Sequence, residues 1–290
     1  MQKIKEYRKN GFIEQRQKGY YALRIRTQAG NMTTGQLRKV TELADKYAKG
    51  QVHFTTRQSV EIPWVREKDY ATIRRELKDA HLLSAVCGSR MRTIVACPGA
   101  SVCRYGLVDT VSLAKKLDEI FVGRELPSKT KMGISGCANS CGKPQENDIG
   151  LQGVIQPILT EGCIGCGVCS MLCKAEAVKL ENDEPVFTRE KCIGCGRCMN
   201  ICPERAIEAK HCGYNLYIGG KIGRFPQLGV KVVEGIDENE VISYLEAVLQ
   251  AYQKLAEKGE RIAEVINRRG LESFKNEIAN EMKGVSQNVF

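Results

Sequence analysis

A cysteine pattern that occurs twice constrains this chain more than any other feature. C-x2-C-x2-C-x3-C places four cysteines within eleven residues, and the second copy begins 29 positions after the first. The first copy contains Cys163, Cys166, Cys169 and Cys173, and the second contains Cys192, Cys195, Cys198 and Cys202. The N-terminal segment has no apolar signal core, and no run of about eighteen apolar residues occurs. We therefore expect a cytoplasmic chain without a membrane span, whose thiols are reduced metal ligands.

The doubled spacing is that of a ferredoxin with two [4Fe–4S] clusters. In such a ferredoxin, three cysteines of each copy and the fourth cysteine of the other copy bind one cluster. This rule groups Cys163, Cys166, Cys169 with Cys202, and Cys192, Cys195, Cys198 with Cys173. A structural zinc site is the alternative, but its usual spacing differs. One departure is Lys174, which stands where the second copy has Pro203.

Two clusters at short distance transfer electrons, so the segment needs an electron acceptor elsewhere in the chain. The charge distribution points to the first half. Residues 1–155 contain 27 Lys and Arg against 15 Asp and Glu, whereas the rest of the chain has no positive excess. A cationic half predicts an anionic partner such as a nucleic acid, a small oxyanion or a polycarboxylate cofactor. Only 6% of the residues are aromatic, so we do not expect a nucleic-acid partner.

The chain alternates short strand patterns with amphipathic helix patterns. Apolar residues recur at helical spacing over residues 34–48, 68–82 and 108–122, and strand patterns cover 20–26, 52–57 and 59–65. The first 80 residues therefore predict the order β-α-β-β-α, which belongs to an α+β fold rather than a doubly wound sheet. Alternation in strand 20–26 places Arg24 and Arg26 on one face, and the pairs Arg90 and Arg92, and Lys129 and Lys131, repeat that spacing.

Four further cysteines form a second kind of motif, and with it the chain resembles a known family. Cys97-x5-Cys103 and Cys137-x3-Cys141 are similar to the cysteine set of the sirohaem-dependent sulfite and nitrite reductases. The resemblance extends to the segments Leu23–Arg26, Thr55–Gln58, Gly88–Ile94, Leu126–Lys131, Gly136–Gly142 and Gly213–Gly220, and so covers residues 20 to 270. It resembles the short anaerobic and dissimilatory members, which carry an inserted ferredoxin domain.

The resemblance implies a role for each matching residue. Arg24, Arg92, Lys129 and Lys131 match the cations that surround the substrate anion. Arg57, Gln58, Asn139 and Cys141 match residues that contact the sirohaem, with Cys141 as the bridging thiolate, and Arg26 and Arg90 are weaker candidates for its carboxylates. Cys97, Cys103, Cys137 and Cys141 would bind a third [4Fe–4S] cluster. By spacing alone, these four cysteines are also compatible with buried free thiols.

The same resemblance implies the domain organisation and the reaction. We expect a ferredoxin-like α+β unit at 1–80, a sirohaem and [4Fe–4S] domain at 81–156 and 210–290, and an inserted ferredoxin domain at 157–209. The eight carboxylates of sirohaem and the anionic substrate explain the positive first half. The expected activity is six-electron reduction of sulfite to sulfide. Nitrite reduction on the same scaffold and a non-catalytic electron-transfer subunit are the alternatives.

Partners and leftover residues complete the expectations. A reduced electron-donor protein or a partner reductase subunit would supply electrons, and a single haem-binding half predicts a homodimer or hetero-oligomer. Cys87 and Cys212 remain as buried thiols without a ligand role. His53, His81 and His211 are far apart in sequence and predict no metal triad.

Overall fold

A computed structural model describes residues 2–285 of the chain, and the side chains of residues 6–283. The strands are β1 (Phe12–Glu14), β2 (Tyr20–Arg26), β3 (His53–Phe54), β4 (Val60–Arg66), β5 (Leu83–Ser84), β6 (Val95–Ala96), β7 (Met132–Ser135), β8 (Ile149–Leu159), β9 (Val178–Glu181), β10 (Glu184–Phe187), β11 (Ile207–Ile218) and β12 (Val230–Ile236). The helices are α1 (Gln2–Lys9), α2 (Thr34–Tyr47), α3 (Tyr70–Asp79), α4 (Thr110–Phe121), α5 (Val168–Met171), α6 (Arg197–Ile201), α7 (Val241–Leu255), α8 (Ile262–Arg269) and α9 (Leu271–Val285). Short 3-10 turns cover Glu67–Asp69, Gly99–Ser101 and Pro144–Glu146.

The N-terminal sheet is antiparallel and has its own core. Its strands follow the order β1-β2-β4-β3, with β5 paired to β2. Alternation in β2 buries Leu23 and Ile25 and leaves Arg24 and Arg26 half-buried, as the sequence predicts. Apolar residues of α1, α2 and α3 pack in the same core as these strands. The predicted order β-α-β-β-α is therefore present, and α1 and β1 precede it.

A reciprocal pair of side-chain hydrogen bonds caps the start of helix α2. The Thr33 hydroxyl accepts a hydrogen bond from the Gln36 backbone N–H at 3.1 Å, and the Gln36 side chain accepts one from the Thr33 N–H at 3.0 Å. This reciprocal pair satisfies two N–H groups that a helix start otherwise leaves free. The helix therefore runs over 34–47, close to the predicted 34–48.

A mixed five-stranded sheet forms the larger unit. Its order is β12-β11-β8-β7-β6, in which β6, β7 and β8 are parallel and β8, β11 and β12 are antiparallel. Residues of α4, α7, α8 and α9 share a core with the sheet, whose largest fully buried side chains include Tyr214, Tyr252, Phe121 and Phe274. Such a sheet with helices packed on it, beside a separate antiparallel sheet, is the predicted α+β class.

The cysteine repeats lie at the end of a long hairpin. Strands β8 and β11 pair from Ile149 and Ile218 to Leu159 and Ile207, and a bond from the Thr160 N–H to the Ala206 carbonyl (2.8 Å) closes the pairing. Residues 160–206, hereafter the repeat segment, contain the hairpin of β9 and β10 and the short helices α5 and α6. The repeat segment is therefore attached through two adjacent backbone positions.

Candidate functional site

Parallel pairing of β6 and β7 gives the mixed sheet two chemically different edges. Val95 pairs with Gly133, so the two strands start and end side by side. Arg92 precedes β6 and Lys131 precedes β7, whereas Cys97 and Cys137 follow the same strands. Cations therefore gather at the N-terminal edge, which we call the cation edge. Cysteines gather at the C-terminal edge, which we call the cysteine edge.

At the cysteine edge, four thiols from two chain segments come together. Burial raises the pKa of the Cys137 thiol, and the neighbouring Cys97, Cys103 and Cys141 raise it further. The Gly136 backbone N–H donates to Cys97 Sγ at 3.1 Å. Burial and mutual repulsion make it costly to ionise these thiols. A metal cluster bound to the thiolates would offset that free-energy cost, because it withdraws their negative charge. The four cysteines of the C-x5-C and C-x3-C motifs thus form one group.

The loop that carries Cys137 and Cys141 is held tightly against β7. The Gly142 N–H donates to Ser135 Oγ at 2.7 Å. A Cβ atom at Gly142 would overlap the carbonyl oxygen of Ile134, so only glycine fits. Within the loop, Asn139 and Cys141 are exposed. The glycine that ends the G-C-x-N-x-C-G motif therefore sets the approach of the loop to the strand.

At the cation edge, Arg92 and the two lysines lie on adjacent segments. The Arg92 backbone N–H donates to the Thr130 carbonyl at 2.9 Å, between Lys129 and Lys131. Burial lowers the pKa of Lys131, and the charges of Arg57 and Arg261 lower it further. Like charges that lower one another's pKa are close enough to act on one bound anion.

The Thr55–Gln58 turn of the N-terminal unit reaches this part of the mixed sheet. Arg57 donates to Asn147 Oδ1 at 2.9 Å and to the Met132 carbonyl at 3.1 Å. Burial lowers the pKa of Arg57 to about 10, and Arg92 and Arg261 add to that effect. Gln58 binds both the N–H and the carbonyl of Ala96, at 3.0 and 2.7 Å, so its amide is occupied by β6.

Two residues that the sequence analysis missed support the cation edge. Arg261 Nε and Nη2 donate to the two carboxylate oxygens of Asp148, at 2.8 and 2.7 Å, and both side chains are buried. Asp148 Oδ2 also accepts the Lys131 backbone N–H at 2.8 Å. The pair therefore fixes the backbone from which the Lys131 side chain extends. Because 113 residues separate the partners, no local motif signals it.

The cation edge carries more positive charge than its surroundings compensate. Its interacting charges are those of Arg57, Arg92, Lys129, Lys131 and Arg261, against the carboxylate of Asp148. The Nε atoms of Arg57 and Arg92 are buried and lack a hydrogen-bond partner. Buried donors without partners and uncompensated cations are costly in a folded chain. An anionic ligand would satisfy both.

The remaining predicted cations are already paired within the chain. Arg24 donates to Glu61 Oε2 from Nε and Nη2, at 2.8 and 2.6 Å. Arg26 lies 3.1 Å from the buried Asp118, and Arg90 pairs with Glu125. Alternation along β2 predicted the direction of Arg24 and Arg26 but not these partners, which come from other elements.

In the repeat segment, each predicted cluster set lines its own cavity. One cavity is lined by Cys163, Cys166, Cys169 and Cys202, and the other by Cys173, Cys192, Cys195 and Cys198. Burial raises the pKa of Cys198 to about 12, and Cys195 and Cys192 contribute. Among residues 2–285, no three ligand side chains converge closely enough to hold a single ion; each set surrounds an open space.

The second of these cavities also reaches the cysteine edge. Besides its four cysteines, it is lined by Arg104, Tyr105, Cys137, Ala138 and Asn139. The Gly194 carbonyl accepts the Ile155 N–H at 3.0 Å, and a Cβ atom on Gly196 would lie 2.8 Å from the Leu107 side chain. The second copy of the cysteine motif is therefore the one that packs against the mixed sheet.

The cysteines and histidines without a predicted role lie outside these groups. Cys87 is half-buried, whereas Cys212 is exposed rather than buried as expected, because it lies in the outer part of β11, where residues 208–212 are exposed or half-buried. Cys212 donates to the Leu107 carbonyl at 3.3 Å. His211 Nε2 lies 2.8 Å from the Gly235 carbonyl, and His53 and His81 are exposed. The described helices include none that is long and apolar enough to cross a membrane.

Comparison with known proteins agrees with this arrangement. The family model described as "Nitrite and sulphite reductase 4Fe-4S domain" matches residues 87–285. The chain belongs to the nitrite and sulphite reductase family. The family's "Nitrite/Sulfite reductase ferredoxin-like half domain" matches residues 13–80, and together the two models cover the N-terminal unit and the mixed sheet. The predicted family is thereby confirmed.

Curated relatives of this family include proteins of several lengths. The coenzyme F420-dependent sulfite reductase of Methanocaldococcus jannaschii is 39% identical over 94% of this chain, which spans 44% of that relative. One subunit of the anaerobic sulfite reductase of Salmonella typhimurium is 30% identical over 60% of the chain and 56% of that relative. The chain thus spans about half the length of these relatives.

Solved structures confirm the fold. Dissimilatory sulfite reductase I matches with a TM-score of 0.76 and 18% identity, over 90% of this chain and 69% of that one. The NirA protein of Mycobacterium tuberculosis matches with a TM-score of 0.69 and 19% identity, over 96% of this chain and 46% of that one. The predicted α+β fold of the sulfite and nitrite reductase type is confirmed.

Proposed function

We propose that this protein is a sirohaem enzyme that reduces sulfite to sulfide with electrons from three [4Fe–4S] clusters. One observation carries the proposal. Strands β6 and β7 have a surplus of cations at their N-terminal ends and lead at their C-terminal ends to the group of Cys97, Cys103, Cys137 and Cys141. An oxidoreductase of this family needs an anion site beside an iron–sulfur site, and β6 and β7 link the two directly.

The residues fit sirohaem, which is a polycarboxylate. Arg57 and Arg92 offer buried N–H donors without partners, and the edge around them has one carboxylate against five cations. In this proposal, Arg57, Asn139 and Cys141 hold the cofactor, and Gln58 fixes the Arg57 turn through β6. When bound, sirohaem supplies an iron that binds the substrate and passes electrons to it.

The chain's own side chains then bind the anion and supply protons. Arg92, Lys129 and Lys131 hold sulfite by charge-assisted hydrogen bonds. The lowered pKa of Lys131 makes its ammonium a better proton donor near neutral pH than an exposed lysine. Arg24 joins this set when the incoming anion competes with Glu61 for its guanidinium.

Electron delivery through the repeat segment follows from its packing. The cluster of Cys173, Cys192, Cys195 and Cys198 would lie next to the cysteine edge, since one cavity joins them. The cluster of Cys163, Cys166, Cys169 and Cys202 would lie farther out. We assign residues 157–209 to an inserted ferredoxin domain, 1–80 to the N-terminal unit, and 81–156 with 210–290 to the sirohaem domain.

Nitrite is the second candidate substrate, because the relatives also include the "Nitrite reductase [NAD(P)H]" of Bacillus subtilis, 24% identical over 87% of this chain. Sulfite is favoured by the relatives with higher identity, which are named sulfite reductases. One of these relatives is named as a subunit, which supports an oligomeric enzyme, and we propose a cytoplasmic homodimer or hetero-oligomer.

The test combines composition with turnover. Anaerobically purified protein should contain about twelve cluster irons and one haem iron, show sirohaem absorption bands, and turn over sulfite faster than nitrite with a reduced viologen. Faster turnover of nitrite would make nitrite, rather than sulfite, the substrate of the enzyme. About eight irons without haem would leave a non-catalytic electron-transfer subunit and overturn the proposal.

A further inference from the structure

The outer end of the repeat segment differs from the rest of this basic chain. Cys163 and Cys166 are exposed, whereas the cysteines of the other set are half-buried. Ile164 is 65% exposed and Leu180 is 39% exposed, and both line the cavity of Cys163 and Cys166. We call the exposed surface around these residues the outer face. An apolar surface beside exposed cluster ligands is suited to contact with another protein.

The rim of the outer face is acidic. Asp183 adjoins Gly165, since a Cβ atom on that glycine would lie 2.9 Å from Asp183 Cβ, and Glu204 lines the cavity. Glu161 precedes the first cysteine by two residues. Glu181 and Glu184 flank the turn that contains Asp183, but their pair faces away from the cavity, because it alternates with the pair of Leu180 and Pro185 that lines it. The polypeptide as a whole has a formal net charge of +10, so the negative charge of this rim has the opposite sign.

The carboxylates at this end of the segment form no ion pair within the described residues. Glu181 and Glu184 are directly opposed partners of the β9 and β10 hairpin, an arrangement in which like charges destabilise the pairing. The turn between them holds Asn182 and Asp183 at positive φ, +51° and +63°. Within the part of the chain that the structure describes, no side-chain nitrogen of Lys, Arg or His lies within 4.0 Å of a carboxylate oxygen of Glu161, Glu181, Asp183, Glu184 or Glu204, although Arg205 follows Glu204 directly in sequence.

The inner end of the segment carries the opposite charge. Arg197 and Lys174 line the cavity that reaches the cysteine edge, together with Arg104 from the mixed sheet. The segment is therefore polar along the direction in which electrons would travel. Its basic end packs against the mixed sheet, and its acidic end faces away from the sheet.

We propose that the outer face receives electrons from a redox protein whose own exposed redox centre is rimmed by Lys and Arg side chains. This proposal rests on the cluster assignment in the proposed function. Complementary charge steers the two centres together, and the apolar residues around Cys163 and Cys166 exclude water between them. The step moves one electron from the donor centre, which is oxidised, to the cluster, which is reduced, with no bond made or broken.

Cytochrome c, a small haem protein with a lysine-rich surface around its haem edge, is a suitable probe. The chain is reduced anaerobically and mixed with ferric cytochrome c, and the electron then leaves a cluster and reduces the haem iron. Stopped-flow absorbance gives the second-order rate constant at several salt concentrations. Transfer through the outer face should slow as salt rises, because opposite charges are screened. A contact through a basic surface of the protein would become faster instead, because repulsion between like charges is screened.

Two matched double variants locate the contact. Asp183→Lys/Glu204→Lys should lower the rate constant at low salt by about 10-fold or more and abolish its fall with salt. Asp45→Lys/Asp79→Lys carries the same charge change on exposed positions of the N-terminal unit and should change the rate less than about 2-fold. Iron content is measured for each variant, and sulfite turnover with a viologen tests the proposed function separately.

Equal slowing by both double variants, or a wild-type rate that rises with salt, would overturn the proposal. An acidic flavodoxin provides a second probe. Because the two probes differ in reduction potential, each is compared only with itself. Flavodoxin should react faster with Asp183→Lys/Glu204→Lys than with wild type, the opposite of the change for cytochrome c. A lack of this reversal would also count against a basic donor, even where sulfite turnover proves the enzyme intact.

Discussion

The repeat segment and the mixed sheet assemble their cysteine groups in different ways. In the repeat segment, three of the four cysteines of each group lie within seven residues, on a glycine-containing loop. In the mixed sheet, the group spans 44 positions, from Cys97 to Cys141, and depends on the pairing of β6 with β7. A local loop keeps its ligand geometry when distant contacts are lost. The mixed-sheet group loses its geometry when the packing of the sheet changes, and three predictions test this difference.

The largest effect is expected from removing one cysteine of each kind. Cys137→Ser should reduce viologen-driven sulfite turnover to background, about 10³-fold or more, because the cluster proposed for its group would adjoin the proposed site of reduction. Cys166→Ser removes a ligand from the outermost set, so the small reductant should still support turnover within about 10-fold of wild type. Steady-state rates and iron content check both. Equal loss in the two variants would show that viologen electrons also enter through the outer cluster.

The next effect concerns long-range support of the mixed sheet. Arg261→Met leaves Asp148 buried without its partner and should lower the free energy of unfolding by about 3–5 kcal/mol. Denaturant titration of the apoprotein measures this value. The matched control is Arg268→Met in α8, the helix that Arg261 precedes, where the pair with Glu260 is more exposed and little change is expected. A similar loss in both variants would mean that α8 itself, rather than the buried pair, carries the stability.

A smaller effect is expected from the proton on Lys131. Burial lowers its pKa, so the ammonium is present below that pKa and is lost as the pH rises through it. The kcat/KM for sulfite should fall over that interval. Lys131→Arg should move the fall to higher pH, since a guanidinium stays charged. The ratio of variant to wild-type kcat/KM at each pH removes the titration of the substrate itself. A ratio that does not rise with pH would exclude Lys131 as the titrating group.

Sequence patterns were sufficient where residue type and spacing alone define a feature. The cysteine motifs, the family and the α+β fold were all predictable, because ligand spacing and strand alternation are local properties. Lys129 and Lys131 were recognised by a motif, and their role at the anion site stays a prediction.

Features that depend on contacts between distant segments were not predictable. Asp148 and Arg261 lie in segments without any motif, and only the folded chain brings them together. Glu61 neutralises Arg24 from the neighbouring strand, a pairing that depends on the register of β2 with β4. The amide of Gln58 pairs with the backbone of β6, a contact that no local pattern indicated, and its role at the cofactor stays a prediction. In each case, the sequence identifies the residue type, and tertiary packing determines its partner.

The closing bond between Thr160 and Ala206 has a consequence for engineering. Because the repeat segment begins and ends at neighbouring positions of one hairpin, its ends are already as close as those of a tight turn. A short turn joining Leu159 to Ile207 should therefore leave the rest of the sheet intact, and a different small electron carrier with adjacent termini should be accepted at the same place. The hairpin of β8 and β11 is thus an insertion point at which one redox domain can be replaced by another.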